Sequence, residues 1–358
     1  MARILQFIIF LSIFFIVYFG IHFYVFTRLS SLLEIKRGLA FYLTMAAFAF
    51  SFPVASFIER ATNGPIARVL YVSSSTWLGV VFLLFWAIIF YEVISLILKI
   101  DHKTAGIFII ILVTIVSIFA LFSGRDIKVN SIEIPIKGLE KELHIVQLSD
   151  IHIGPINREG YMKKIANKVN MLKPDAVLIT GDLVDGEGGL SKESVDVLDG
   201  INAKKFFVIG NHERYAGVET IISKLKDTDI IILRNEVFEF KGVQIIGIDD
   251  PQNEFSSENT VIRSINFNSE KPSLLMYHRP TGIDDAVKKG VSIQLSGHTH
   301  NGQIFPFNFF VLPFYKYING LHSYKGMWIY VSPGTGTWGP PMRLGSLNEI
   351  TYITLKPA

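Results

Sequence analysis

The chain has 358 residues, of which 50% are apolar and 18% charged, with a net charge of +3. That charge is too small to argue for a nucleic-acid partner, and no basic run with interleaved aromatics is present. Cysteine is absent, which excludes disulfides, thiolate metal ligands and a cysteine nucleophile, and leaves the compartment open.

The length accommodates two domains, and the mean hydropathy of +0.39 is unevenly spread. Apolar residues crowd the region 1–123. Within it, segments 4–26, 38–58, 72–91 and 105–122 contain no Asp, Glu, Lys or Arg. Each approaches the roughly 20 apolar residues that a helix needs to cross a bilayer. The first is longer than a signal-peptide core, and no small-residue cleavage site follows it. Residues 1–123 therefore read as four transmembrane helices. Glu92 stands at the end of the third, an interfacial position, and His22 in the first reads as an interface or packing residue.

Four spans put both termini on one side. The two loops on the other side carry Arg28, Lys36, Arg37, Lys99 and Lys103. The near side carries Arg3, Arg60, Arg68, Arg125 and Lys128. Positive residues favour the cytoplasm, so the balance sets the C-terminal domain outside the plasma membrane, with Arg3 pulling the other way.

Over 124–358 short β-rich runs alternate with amphipathic stretches. Residues 142–150 read as a strand entering a loop. Residues 159–172 read as a helix with Tyr161, Ile165, Val169 and Leu172 on one face. Strands follow at 175–182, 204–213, 245–250, 273–278, 291–300, 328–334 and 349–355. Several of these runs are apolar, then turn through Gly or Ser into Asp, Asn or His. In α/β sheets, sites gather at the carboxyl ends of strands, so these polar endings point to one shared rim. In an extended segment residues i and i+2 share a side. Asp150 and His152 are thus expected to approach one ion together, and His298 with His300 to reach towards the shared site from one loop.

The polar endings, in order, are Asp150 and His152 in SDIHIG, Asp182 in TGDLVD, Asn211 and His212 in GNHE, His278 in MYHRP, and His298 and His300 in GHTH. Five of the nine histidines fall in this set. D-x-H, G-D-x-x-D, G-N-H-[DE], a lone H and G-H-x-H in that order resemble the calcineurin-like metallophosphoesterases over residues 140–355. The endings GHTHNGQ and SPGTGTWGPPMRLG are similar to a membrane-associated bacterial phosphodiesterase branch, although Asn301 stands where that branch has Gly. The resemblance implies a four-layer α-β-β-α sandwich behind the four-helix membrane region. It implies two divalent metal ions, Mn, Fe or Zn. One would be held by Asp150, His152, Asp182 and His300, the other by Asp182, Asn211, His278 and His298, with Asp182 as the bridge. Carboxylate, imidazole and amide oxygen suit such ions. A metal-bridging hydroxide would attack phosphorus, and His212 would protonate the leaving oxygen. Asp185 and Glu213 would orient neighbouring groups, although for these two and Arg279 a structural role is the stronger reading.

The expected substrate is a phosphodiester or pyrophosphate, lipid-linked or in the cell envelope. A phosphomonoesterase, including a protein phosphatase, is the alternative enzyme. A membrane sensor or transporter with a regulatory domain is the alternative outside this class. The aromatic segment 304–317 is either a hydrophobic lid or core loop, or a surface for lipid. Arg343 either binds a second phosphate or pairs locally.

Overall fold

The computed structural model describes residues 2–62, 64–186, 190–251 and 259–358. They form two compact units, 1–122 with 339–342, and 123–338 with 343–358.

The first unit holds four helices: α1 (Ala2–Leu32), α2 (Leu39–Thr62), α3 (Pro65–Ser95) and α4 (His102–Ser123). All four are long and apolar enough to cross a membrane. All four outrun the charge-free segments, α1 and α3 the furthest. α1 continues to Leu32 and α3 begins at Pro65, a residue pre-set for the first helical turn. Arg28 and Arg68 therefore lie in helices rather than loops. Long cationic side chains near helix ends can carry their charge to the interface. Arg28 pairs with Glu92, so the carboxylate at the end of α3 is a salt-bridge partner. His22 is buried, with Nδ1 2.9 Å from the Tyr18 carbonyl and Nε2 accepting from Trp77 Nε1 at 3.2 Å. Both ring nitrogens are satisfied, and the contact joins α1 to α3.

The second unit begins with β1 (Ile127–Ile136), β2 (Leu143–Leu148), α5 (Glu159–Leu172), β3 (Ala176–Ile179), α6 (Lys192–Asp199), β4 (Lys204–Phe207), α7 (Asn211–Ala216), α8 (Val218–Leu225) and β5 (Ile230–Ile232). It continues through β6 (Glu236–Phe240), β7 (Val243–Ile248), α9 (Asn259–Ser264), β8 (Ser273–Tyr277), α10 (Ile283–Lys289), β9 (Ile293–Ser296), α11 (Asn308–Val311), β10 (Gly320–Tyr324), β11 (Met327–Val331) and β12 (Asn348–Pro357). One sheet has the order β1-β12-β2-β3-β4-β5, the other β10-β11-β9-β8-β7-β6. β2, β3, β4 and β5 run parallel, as do β11, β9, β8 and β7. Such strands are covered on both faces, which is why they read as unbroken apolar runs rather than alternating ones.

Three apolar layers separate four structural ones. Ile145, Leu178, Phe206 and Val208 of the first sheet meet Ile245, Leu274, Met276 and Leu295 of the second. The outer face of the first sheet is covered by α5 through Met162, Ile165 and Val169, and by α6 to α8 through Leu198, Ala216 and Ile221. Ile262 of α9 with Ile283 and Ala286 of α10 cover the second. The unit is the expected α-β-β-α sandwich. β1, β5, β6 and β10 were not foreseen. β5 is three residues long, and the others form or flank sheet edges, where half-exposed patterns carry little signal.

Leu178 is fully buried between the sheets, whereas Met171 on α5 is 72% exposed. Leu178→Ala should destabilise by about 2–5 kcal/mol through lost transfer energy and the cavity left behind. At the size of this unit that lowers the unfolding midpoint by roughly 4–20 °C. Thermal unfolding in detergent checks this, with Met171→Ala expected to leave the midpoint unmoved.

Candidate metal centre

β2 ends at Leu148, β3 at Ile179, β4 at Phe207, β8 at Tyr277 and β9 at Ser296. All eight predicted site residues follow closely on these ends. The backbone there is not the extended one expected. Asp150 (φ 52°), His152 (51°), Asp182 (51°), His298 (70°) and His300 (48°) all adopt left-handed conformations. Such residues are uncommon outside glycine, and each costs on the order of 1–3 kcal/mol unless its surroundings enforce it. Asp150 therefore meets His152 through two tight kinks and not through strand alternation. The same holds for His298 and His300.

Hydrogen bonds supply the enforcement. Asp150 N donates to Gly181 O at 3.1 Å and His152 N to Asp182 O at 3.1 Å. The carboxylate of Asp150 accepts from His298 N at 3.0 Å. Glu213 accepts from Asp182 N, Val184 N and Gly210 N at 3.0, 3.1 and 2.8 Å, so it clamps two of the loops together. Glycine is required where these loops touch. A Cβ on Gly181 would lie 2.7 Å from His278 Nδ1, and one on Gly297 would collide with Ser149 Oγ and Asp150 Oδ2.

The donor atoms fall into two sets. In the first, His300 Nε2 lies 3.1 Å from His152 Nε2 and 3.5 Å from Asp150 Oδ1. In the second, His278 Nε2 lies 3.1 Å from Asp182 Oδ2, 3.2 Å from Asn211 Oδ1 and 3.2 Å from His298 Nδ1. Asp182 Oδ2 is also 3.9 Å from His152 Nε2, so it faces both sets. Two ligands bound about 2.1 Å from one ion sit about 3.0–3.4 Å apart at right or tetrahedral angles. Asp150, His152 and His300, and separately Asp182, His278 and His298, each bring donor atoms within 4.8 Å of one another. Two imidazole nitrogens facing each other at 3.1 Å share at most one proton, whereas a cation satisfies both lone pairs. His278 also donates Nδ1–H to Thr180 O at 2.8 Å, which leaves Nε2 for a ligand. The residues fit two divalent cations of the borderline or hard class, with no sulfur donor.

The electrostatics agree. Burial and neighbouring imidazoles pull His298 and His300 well below the usual histidine range, and His152 down to about 4. Three lone pairs are therefore available at neutral pH. Burial pushes the Asp182 carboxyl up, but His278, His212 and His152 outweigh it and hold it well below the usual range. Burial lowers His278, yet Asp182 and Asp150 raise it to about 10, and its proton is the one a cation would displace.

His212 has a different environment. Its Nδ1 lies 3.1 Å from Asp185 Oδ1, and its backbone N donates to Asp182 Oδ1 at 2.9 Å. Burial lowers its pKa, but Asp182 and Asp185 raise it to about 9. It lies beside the metal donors, its ring 4.5 Å from the His152 ring. Asp185 thus has a definite partner, more than the structural role read from its motif. Arg279 is buried and bonded to Asp250 at 2.7 and 3.0 Å. Arg343 is buried and bonded locally, which settles its two readings against a phosphate site. The segment 304–317 is not a core loop, since Phe305, Phe307, Phe309, Phe310, Leu312 and Phe314 are all exposed. Three rings escaped the sequence reading as site residues: Tyr215 and Trp338 beside His212, and Tyr315 beside His298. Only their nearness in sequence to the motifs could have flagged them. His144 and His322 lie on strands, and His22 and His102 on membrane-region helices, outside the cluster.

Comparison with known proteins agrees with this geometry. The family model for calcineurin-like phosphoesterases matches residues 143–302. An uncharacterised metallophosphoesterase of Campylobacter jejuni is 30% identical over 360 residues, covering 93% of this chain and 94% of that protein. One from Helicobacter pylori is 36% identical over 239 residues, 64% of each chain. A Danio rerio transmembrane protein with metallophosphoesterase domain is 32% identical over 271 residues, covering 70% of this chain and 62% of that protein. Identity sustained along nearly the whole of one relative, over a sandwich whose strand ends converge on clustered metal donors, places this chain in the calcineurin-like phosphoesterase family of metal-dependent phosphoric ester hydrolases.

Proposed function

We propose that this protein is a membrane-anchored phosphodiesterase or pyrophosphohydrolase acting on a lipid-linked or envelope phosphate. The observation that carries the reading is the pair of donor sets sharing Asp182, with a charged His212 next to them. Asp150, His152, Asp182 and His300 would hold one cation, and Asp182, Asn211, His278 and His298 the other. Two such ions supply charge neutralisation of a phosphate and an activated water. His212 holds a proton on its imidazolium for the leaving oxygen, and Asp185 keeps that ring oriented through Nδ1. An alkyl phosphodiester expels an alkoxide, a poor leaving group, and such a group needs that proton most.

The lipid part of the proposal rests on two supports. Four helices of the chain are suited to a bilayer. The segment just after His300 exposes six large apolar side chains, Phe314 at 78%, and contiguous exposed apolar surface marks an interaction site. A groove lined by Pro280, Thr281, Asp284, Phe314, Tyr315 and Lys316 begins two residues beyond His278 and offers room for more than a phosphate group. The loop charges support an extracytoplasmic active site, since Lys36, Arg37 and Lys99 lie between the helix pairs α1–α2 and α3–α4.

Four outcomes are expected. Detergent-purified protein with Mn²⁺ should hydrolyse bis-p-nitrophenyl phosphate faster than p-nitrophenyl phosphate. Asp182→Ala should lower that rate about 10³-fold or more, because both ions lose a ligand and several kcal/mol of charge stabilisation goes with them. A wild-type rate no higher than the variant's would sink the enzymatic reading, and a monoester preference would favour the phosphomonoesterase. His212→Ala should cost about 10²–10⁴-fold on an alkyl phosphodiester but far less on the nitrophenyl ester, whose leaving group needs no proton. Equal losses on both would remove His212 from the acid role. Finally, alkaline phosphatase fused to the C-terminus should be active in cells, and an inactive fusion would place the domain in the cytoplasm.

A further inference from the structure

Arg343 is fully buried and heads the described side chains of that kind by volume. A buried guanidinium normally sits against a carboxylate. Here, among the described residues, its hydrogen bonds go elsewhere. Nε donates to Asn348 Oδ1 at 2.6 Å, and Nη1 to Ser346 Oγ at 2.5 Å and to the His300 carbonyl at 3.2 Å. Nη2 donates to the carbonyls of Gly336 at 2.6 Å and Gly334 at 3.4 Å. Nη2 also lies 3.3 Å from His300 Nδ1, towards which a guanidinium can only donate.

The carbonyl partners belong to two segments that must be brought into register. One carries His300, whose left-handed backbone is followed by Asn301 (φ 50°) and Gln303 (φ 53°), also left-handed. Three such residues in four are held open only by their surroundings. Ser346 Oγ adds a second bond to the His300 carbonyl at 2.8 Å. The other segment, 334–336, is bonded to the loop of Asp150 and His152. Thr335 N donates to Ser149 O at 2.7 Å, and Gly336 N to Asp150 O at 2.9 Å. A Cβ on Gly336 would strike the Ile151 carbonyl, so the segment lies flat against that loop. The guanidinium is the bracket between the chain that supplies His300 and the chain that supplies Asp150 and His152. None of its hydrogen bonds reaches Asn211, His278 or His298.

We infer that Arg343 is a positioning residue for one of the two cation positions, the one formed by Asp150, His152 and His300, and that the other position does not depend on it. The inference rests on the two-cation reading of the centre. Its chemistry is geometric. Five N–H groups in a rigid fork fix three loops at once, which a lysine ammonium cannot do.

The test is Mn²⁺ binding by the full-length protein in detergent, measured by chelator competition, with unfolding midpoints recorded in parallel. Wild type is expected to bind two ions. Arg343→Met should retain one at wild-type affinity and bind the second about 10–100-fold more weakly, as removing a group that supports a ligand does. Arg343→Lys should fail to restore it. Asn211→Ala should weaken the opposite position, and the Arg343→Met/Asn211→Ala double variant both. Two ions at wild-type affinity in Arg343→Met would overturn the inference. So would an equal loss at both positions that tracks a falling midpoint, since that is a general structural role. Should Arg343→Met not fold, Ser346→Ala decides, because it removes one bond to Arg343 and one to His300. Weakening at a single position supports the inference and unchanged binding overturns it. Wild type that binds no metal would instead overturn the two-cation reading itself.

Discussion

The arrangement turns on one buried carboxylate. Asp182 is 2% exposed and faces His278 at 3.1 Å and His152 at 3.9 Å while accepting the His212 amide. A carboxylate cannot be buried as an anion without compensation. Its surroundings supply cationic or cation-ready nitrogen on three sides. The same negative charge keeps His212 protonated and draws a proton to His278. Donor atoms of two sets and an acid are thus organised by a single side chain at the end of β3. Placing it in the middle of the first sheet, between β2 and β4, gives it neighbours on both flanks.

That placement demands an unusual backbone. Five of the candidate ligands take left-handed conformations, and their summed strain is a substantial fraction of the stability of an ordinary domain. It persists because the loops are bonded to one another rather than to solvent. Glu213 ties the Asp182 loop to the start of α7, and Asp150 ties its own loop to that of His298. The two sheets, joined by a wide apolar interface, hold the roots of these loops at fixed separation. Strain at the rim and packing between the sheets are therefore one design: the stiff core over-determines the loops, and the loops need no further adjustment to present their donors.

The layers and most strands were legible because both faces of β2, β3, β4, β7, β8 and β9 are covered, so apolar runs coincide with strands. α5 matched its predicted span, since its buried face recurs at the helical period. The candidate site residues were legible as types because Asp, Asn and His recur after successive buried strands in one motif order, although any one of them alone is an ordinary turn residue. How they converge was not. Strand alternation was the wrong argument for Asp150 and His152, since nothing in their identity announces a positive φ. Arg343 was ambiguous for a related reason: an arginine in a loop looks the same whether its fork grips a phosphate or five backbone and side-chain oxygens. Edge strands such as β5 and β10 escaped because half-exposed segments lack a clean period.

Separation of tasks along the chain follows from the same physics. A metal-ligand cluster needs buried charge, and buried charge needs dense hydrogen bonding, which loops at the ends of sheets provide and apolar helices do not. In the helices His22 bonds Trp77 and a carbonyl and Arg28 pairs with Glu92, contacts suited to hold the helices together. In the sandwich the polar groups at the rim keep lone pairs directed at common points. The exposed aromatics after His300 belong to neither pattern. Among the described residues they pack into no core, yet they are carried on the segment that follows the candidate ligand His300. For an enzyme whose other unit is built for a bilayer, an apolar surface at that place is a reason to seek the substrate among molecules with an apolar part.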